Sequence, residues 1–420
     1  MMKEKKFWIG LSLFNLALVA FFGLLMRSKM LFSIPFVDYR HIISAHSHLA
    51  FSGWVGLAIL TMLIYDVLPA GMEKKKIYGV VLWSIEISSV GMAVSFPFGG
   101  YYVLSIIFST LYIVTTYVFG WVFIRDMKRS GIHPVVNWLS TGGIASLILS
   151  SIGPFGLSYI LITKSTNSLL YRDAIYTFLH LQYNGFFTLC IFALFFATLI
   201  KKGIQLPAAA KPFSVFLLLS VLPSLFVALL WHNLEVFYII GAIGCLFALI
   251  SVVFFIPLFR KVLALRFFQH PLARVLWIAA FGSFVIKMVL AVGTIYPPLG
   301  NAVYGARPII IGFLHLVFLA FVSFYLLSQF IEAGFYDRGN KLIKLPFYVF
   351  GLGVLANEIF LMVQGVEILF KTNSSMYNWL LWVAAIVLFS GACLLTATFY
   401  SAQAWNKKAA AIATADEFNI

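Results

Sequence analysis

The sequence predicts an all-α membrane protein of about twelve transmembrane helices, arranged in three pseudo-equivalent groups of four. The prediction rests on composition, on the succession of apolar runs and on an internal repeat. Hydrophobic residues make up 62% of the 420 residues and charged residues only 10%. Soluble domains carry about 25% charged residues, and one span with its loop needs roughly 30–35 residues. This composition excludes an ordinary globular, disordered or fibrous protein.

Twelve apolar runs of membrane-spanning length follow one another along the chain. In order they cover residues 7–26, 43–68, 77–96, 101–124, 135–162, 174–200, 213–231, 236–258, 272–295, 309–331, 345–370 and 379–404. The first run follows Lys3, Lys5 and Lys6 and is about 20 residues long, which favours a spanning helix over a cleaved signal peptide. We expect one membrane domain over residues 1–405 and a cytoplasmic tail over residues 406–420.

The distribution of Lys and Arg predicts the topology. With the amino terminus inside, 21 of the 29 Lys and Arg residues lie on the cytoplasmic side, 7 lie outside and Lys287 lies within a span. Positive residues concentrate in cytoplasmic loops, so we expect both termini in the cytoplasm and the protein in the bacterial inner membrane. The same loops account for the net charge of +15, and no nucleic-acid partner is expected.

Three segments with one spacing of Arg and His predict an internal repeat. Each has an Arg, seven further residues and then His-Leu; the Arg–His pairs are Arg40 and His48, Arg172 and His180, and Arg307 and His315. An aromatic residue follows three positions after each His, a small residue at five and another aromatic residue at six. The offsets of 132 and 135 residues correspond to about four helices per unit.

The repeat histidines are predicted to lie at one depth in the membrane. Each segment opens an outside-to-inside span, and eight residues of helix rise about 12 Å. Ionisable groups inside a membrane are costly and usually functional, so three matched histidines favour ligation of a cofactor over packing. Arg40 and Arg307 then lie at the outer surface, where they either anchor to lipid headgroups or pair with a carboxylate of the cofactor.

Other polar residues within the spans leave alternatives open. His46 lies two residues before His48, and either could be the ligand of the second span. His232, at the outer end of the seventh span, has the right depth to join the cluster. The charges within spans predict either a proton path or structural pairs and neutral carboxyls; they are Glu86, Lys287, Glu358 and Glu367. Haem b or histidine-bound copper is the chemistry that this residue set favours.

These features resemble subunit I of the haem–copper oxidases and their nitric oxide reductase relatives. That family has twelve helices in three groups of four, with ligands on helices two, six, seven and ten. Residues 45–49 are similar to the segment that binds the low-spin haem, which implies His46 as a ligand, whereas the internal repeat points to His48. The resemblance implies a copper or iron ligand at His180, a low-spin haem ligand at His315 and Phe313 in place of the active-site haem ligand.

The sequence also departs from the family pattern. The paired histidines of helix seven are reduced to His232-Asn233, and the carboxylate of the reductases is replaced by uncharged Gln182 and Asn184. Asn184 also stands where the oxidases have a tyrosine, four residues past His180. This set supports one bis-histidine haem, or one histidine-ligated haem with an open position beside a sparse metal site.

The leading hypothesis is a degenerate member of this superfamily that binds one haem b. The haem lies between the second span (His46 or His48) and the tenth (His315), and His180 with His232 forms a residual copper or iron site. The implied role is electron transfer or binding of O2 or NO, with membrane lipid around the protein and a quinol or separate cytochrome as electron donor. The alternatives are an active terminal oxidase or nitric oxide reductase, and a haem-free transporter or metal-handling protein that holds copper or zinc.

Overall fold

The structure, a computed structural model, describes residues 2–265, 267–336, 343–370, 372 and 374–417. Among these residues, twelve helices are long and apolar enough to cross a membrane, and no strand occurs. The helices are α1 (Met2–Leu31), α2 (Tyr39–Val67), α3 (Lys76–Gly99), α4 (Val103–Lys128), α5 (Pro134–Thr163), α6 (Ser168–Lys201), α7 (Ala210–His232), α8 (Glu235–Ala264), α9 (Pro271–Gly293), α10 (Arg307–Glu332), α11 (Lys344–Leu369) and α12 (Met376–Ala402). The prediction of an all-α protein with twelve spans is confirmed.

Polar caps start two of the central helices several residues before their apolar runs. The Asp38 side chain accepts hydrogen bonds from the backbone N–H groups of Arg40 (2.7 Å) and His41 (3.1 Å), so α2 begins at Tyr39. The bond from His41 is the main reason that the pKa of the Asp38 carboxyl lies below its usual value. Asn167 caps α6 in the same way. Hydrophobicity alone does not show these polar first turns, and the predicted starts are therefore four and six residues late.

The helices α2 and α6 form the centre of the bundle. In each of them 78% of the most apolar window is buried, against 28–50% in the other ten spans. Around them α1 packs against α2, α3 against α4, α5 against α6 and α7 against α8. The ring of helices closes because α12 packs against both α1 and α11. The helix α10 packs against α9 and α11 and meets α2 in the interior.

Contacts at both ends show that α2, α6 and α10 run in one direction. At their starting end, here called the arginine end, the Arg307 guanidinium lies 5.2 Å from the centre of the Tyr39 ring. At the other end Asp66 of α2 forms ion pairs with Lys5 (2.6 Å) and with Lys201 of α6 (3.8 Å). This arrangement agrees with the common direction that the repeat predicts for spans two, six and ten.

Some residues used in the topology prediction lie outside the described part of the chain. They are Arg266, Arg338, Lys341 and Lys371, together with residues 418–420 of the predicted tail. The helix that contains α12 continues to Glu417.

Gly185 of α6 lies against α5 at a place with no room for a side chain. A Cβ atom there would overlap the Cβ and Oγ atoms of Ser146. We expect Gly185→Val to lower the free energy of unfolding by about 1–3 kcal/mol, the usual range for overpacking, as measured by thermal unfolding in detergent. Gly79→Val is the control, because a Cβ at Gly79 meets no atom within 4 Å. Equal unfolding temperatures for the two variants would contradict the α5–α6 packing.

Candidate functional site

Each histidine of the internal repeat lies where a central helix changes from α-helical to π-helical winding. The π-helical segments are Ala50–Gly56 in α2, Leu181–Phe187 in α6 and Leu316–Ser323 in α10. They follow His48, His180 and His315 within two residues. Short π-helical segments are rare and are frequent at functional sites. The repeat in the sequence is therefore also a repeat of backbone geometry.

One backbone carbonyl at an equivalent position in each repeat lies close to the residue five positions later. Thr188 Oγ1 donates to Tyr183 O (2.5 Å) and Ser323 Oγ donates to Phe318 O (2.7 Å). In the first repeat the equivalent residue is Gly56, where a Cβ would lie 2.6 Å from the carbonyl oxygen of Phe51. A buried carbonyl must find a partner in a membrane, and in two of the repeats a hydroxyl group is such a partner.

Three phenyl rings join the central helices just beyond the histidines. The centre of the Phe51 ring of α2 lies 4.5 Å from that of Phe318 of α10, and Phe187 of α6 lies 5.7 Å and 5.1 Å from these two rings. Such aromatic contacts stabilise packing beyond their buried area. They fix the separation of the three helices at the level where their side chains can hold a ligand.

His46 of α2 and His315 of α10 form a pair of imidazoles within electrostatic interaction range of each other. The His46 Nδ1–H donates to the carbonyl of Val19 in α1 (2.9 Å), which leaves Nε2 as the unprotonated nitrogen. Gly23 of α1 makes room for this ring, because a Cβ there would lie 3.3 Å from His46 Cε1. The Nδ1 atom of His315 is buried and faces the carbonyl of Ile311 without meeting hydrogen-bond geometry.

Two guanidinium groups lie beside this pair at the arginine end. Arg27 of α1 interacts electrostatically with both imidazoles and with Arg307. Its guanidinium contacts Met30 Sδ at 3.9 Å, and Arg307 donates to the Tyr39 hydroxyl at 3.4 Å. Neither guanidinium forms an ion pair with a carboxylate of the described residues. The two positive charges therefore favour an anionic group near the imidazoles.

The other predicted arginine and the first repeat histidine take different positions. The Arg40 side chain is exposed at the arginine end and forms no ion pair among the described residues. His48 packs with its ring centre 4.5 Å from that of Phe96, and its Nδ1–H donates to Ser44 O (2.8 Å). The Tyr101 hydroxyl lies 3.4 Å from His48 Nε2. Of the two candidates on α2, His46 is the one with a described interaction with His315.

His180 is buried against α7 with both ring nitrogens in hydrogen bonds. Its Nε2–H donates to Val221 O (2.8 Å), and the Asn184 side chain donates to its Nδ1 (3.1 Å). A metal ligand must offer one unprotonated nitrogen, and here that nitrogen already accepts a hydrogen bond. The residues around His180 therefore do not fit a copper or iron ion.

His232 belongs to a separate cluster near the arginine end. Its Nε2 lies 2.9 Å from one carboxylate oxygen of Asp173. The other oxygen of this carboxylate accepts a hydrogen bond from Trp231 Nε1 (2.9 Å). Arg172 covers the Trp231 ring at 4.4 Å. Asp173 precedes His180 by seven residues, about 10 Å of helix rise. No group of three potential metal-binding side chains occurs in the described part of the chain, so the structure does not bring His180 and His232 into one metal site.

Two residues that interact with the predicted site histidines were not identified from the sequence. Arg27 was counted only among the outer positive charges of the topology prediction. In the structure it interacts electrostatically with both His46 and His315. Asp173 was not singled out, although it follows a repeat arginine directly and holds His232. Both act through residues distant in sequence, and no local spacing marks such partners.

Comparison with solved structures shows what the fold is similar to. The chain resembles a chain in a structure described as a cryo-EM structure of a haem–copper terminal oxidase dimer, with a TM-score of 0.69 and 16% sequence identity. The match covers 95% of this chain and 84% of that chain. No family model and no curated protein matches this sequence. The likeness establishes a haem–copper oxidase-like fold.

The contacts of His180 and His232 predict that neither residue retains a metal ion. We expect wild-type protein incubated with Cu²⁺ or Zn²⁺ and then desalted to retain the same substoichiometric amount as His180→Ala and His232→Ala. Metal analysis of the three proteins measures this. One equivalent of copper in the wild type that is lost in His180→Ala would contradict the hydrogen-bonded state of this imidazole.

Proposed function

We propose that this protein is a membrane electron-transfer protein in which His46 of α2 and His315 of α10 would hold one haem b. The observation that carries the proposal is the electrostatic interaction of these two imidazoles, from two central helices, with each other and with Arg27, which in turn interacts with Arg307. Neither guanidinium forms an ion pair with a carboxylate of the described residues. The fold supports it, because the solved structure that this chain resembles is described as a haem–copper terminal oxidase.

The residues around the pair fit a bis-histidine haem. A histidine ligand donates its second nitrogen to a carbonyl or carboxylate, which sets the ring orientation; His46 makes this bond to Val19 O. The His315 Nδ1 atom faces Ile311 O and could complete the same bond after a small adjustment. Arg27 and Arg307 are placed to bind the carboxylates that a haem carries at its edge.

When bound, the haem supplies one-electron chemistry through the ferric and ferrous states of its iron. His46 and His315 would together hold the iron, and this pair of imidazoles would leave no ligand position open to O2 or NO. Arg27 and Arg307 would bind the haem carboxylates, and their positive charges would favour the reduced haem. We therefore propose electron transfer and not gas binding.

An active oxidase or nitric oxide reductase would need a second metal beside an open haem. His180 has both nitrogens engaged, and His232 is held by Asp173. Phe313 lines the cavity on the other side of α10, where the resemblance implies the active-site haem ligand. These residues support a single-haem protein. Its proposed electron donor is a quinol or a separate cytochrome, and its proposed location is the bacterial cytoplasmic membrane with both termini inside.

The ligand assignment makes a spectroscopic prediction. We expect purified wild-type protein to show a Soret band and a sharp α-band on reduction, since a bis-histidine haem is low-spin. His46→Ala and His315→Ala should abolish these bands. The matched control is His48→Ala, two residues from His46 on the same helix, which should keep them. A colourless wild type, or loss of the bands only in His48→Ala, would contradict the proposal.

The arginine pair makes an electrochemical prediction. Removing one positive charge near the haem edge should lower its midpoint potential by on the order of tens of millivolts, because about 1.4 kcal/mol corresponds to 59 mV for one electron. We expect this shift in Arg27→Gln and in Arg307→Gln, measured by optical redox titration. Arg172→Gln, the equivalent position of the second repeat, is the control and should leave the potential unchanged. Equal potentials in all four proteins would count against carboxylate binding by Arg27 and Arg307.

A further inference from the structure

A cavity of about 760 Å³ lies between α6, α7, α8, α9, α10 and α11, on the side of α10 that carries Phe313. Its walls are mostly apolar. The polar side chains that decide its chemistry are His180, Asn184, Lys287 and Glu358. His315 is absent from the lining, whereas its neighbours Leu314 and Leu316 belong to it. The cavity is therefore separate from the proposed haem site and lies next to it across α10.

Exposed apolar residues of α9 and α11 line the cavity. Ile286 and Leu290 of α9 line it and are 53% and 51% exposed. On α11, Leu355 and Met362 line it and are 57% and 64% exposed. Large apolar side chains on the surface of a membrane-spanning bundle face lipid. A molecule dissolved in the bilayer can therefore enter here without crossing water.

Lys287 of α9 is a fully buried amine in the wall of this cavity. Its Nζ donates to Thr188 Oγ1 (2.6 Å) and lies 3.4 Å from the Tyr183 carbonyl oxygen. The rings of Phe284 and Phe321 lie within 5.8 Å. Lys287 forms no ion pair among the described residues. An ammonium has three N–H donors, and these contacts engage two of them with neutral acceptors.

Glu358 of α11 limits the charge of a ligand in the cavity. Its carboxyl accepts a hydrogen bond from the Asn357 side chain (3.1 Å) and forms no ion pair with Lys287. The head group of an anionic ligand would lie near this carboxyl as well as near Lys287. A neutral oxygen of a ligand needs only the N–H donor of Lys287. The lining also has no free imidazole nitrogen for a metal, because His180 uses both of its own. The wall therefore favours an apolar molecule with a neutral carbonyl head.

We propose that this cavity is a binding site for a membrane-soluble quinone, which enters between α9 and α11 and accepts a hydrogen bond from Lys287 through a ring carbonyl. The volume lies in the range of ligand pockets. The cavity lies next to His315 across α10. This is a suitable place for the quinol that would donate electrons to the proposed haem. That relation rests on the proposed function, whereas the binding itself does not depend on the haem.

Binding of a benzoquinone with a ten-carbon tail tests the proposal, measured by equilibrium gel filtration of the full-length protein in detergent. We expect one saturable equivalent in the wild type. Lys287→Met should bind at least tenfold more weakly, as expected for loss of a hydrogen bond from a charged donor. Equal affinity of the wild type and Lys287→Met would overturn the assignment.

A second variant tests the cavity independently of the lysine. Gly282 of α9 lines the cavity, and a Cβ there meets no atom within 4 Å, so Gly282→Leu can narrow the cavity without disturbing the packing. It should also bind at least tenfold more weakly. The matched control is Gly351→Leu on α11, where a Cβ also meets no atom and which is not part of the lining; it should bind as the wild type does.

Two further outcomes separate this proposal from others. If palmitate displaces the quinone and its own binding is lost in Lys287→Met, the site belongs to a fatty acid and the quinone assignment is wrong. His315→Ala, which removes a proposed haem ligand outside the cavity, should bind the quinone as the wild type does. A colourless wild type that binds quinone in a Lys287-dependent way would contradict the haem proposal and support the cavity assignment.

Discussion

The π-helical turn after each repeat histidine is the constraint on which the rest of the structure depends. In lipid every backbone carbonyl needs a partner within the protein. Thr188 and Ser323 supply hydroxyl groups to the carbonyls of Tyr183 and Phe318, and Gly56 allows close packing at the equivalent place in the first repeat. The Tyr183 carbonyl also lies 3.4 Å from the Lys287 Nζ. One backbone distortion, used three times, thus brings polar groups into the interior of an otherwise apolar bundle.

The same position in the repeat serves three different purposes. His48 packs against Phe96, His180 is held between α6 and α7 by two hydrogen bonds, and His315 interacts electrostatically with His46. None of the described contacts joins the three repeat histidines to one another. The fold therefore keeps its pseudo-symmetry while the site does not, and the asymmetry comes from one residue, His46, that has no counterpart in the other two repeats.

The sequence predicts the spans, their common direction and the depth of the histidines, because hydrophobicity and charge vary along the helix axis. It does not predict the direction in which a side chain points around that axis, which is why it left His46 and His48 open and grouped His180 with His232. Those contacts depend on partners such as Val19, Asn184 and Asp173, which come from other turns or other helices. Arg27 was missed for the same reason. The resemblance to the haem–copper oxidases implies His46 as a ligand, and this stays a prediction.

Electron paramagnetic resonance of the oxidised, purified protein tests the central claim most directly, because it reports the axial ligands of the iron. Ligation by both His46 and His315 predicts a low-spin ferric signal with the g-value spread of a bis-histidine haem, accounting for one haem per chain. A predominantly high-spin signal would show that one imidazole is not bound, and the absence of any haem signal would remove the cofactor altogether. Either result would contradict the account given for α2 and α10.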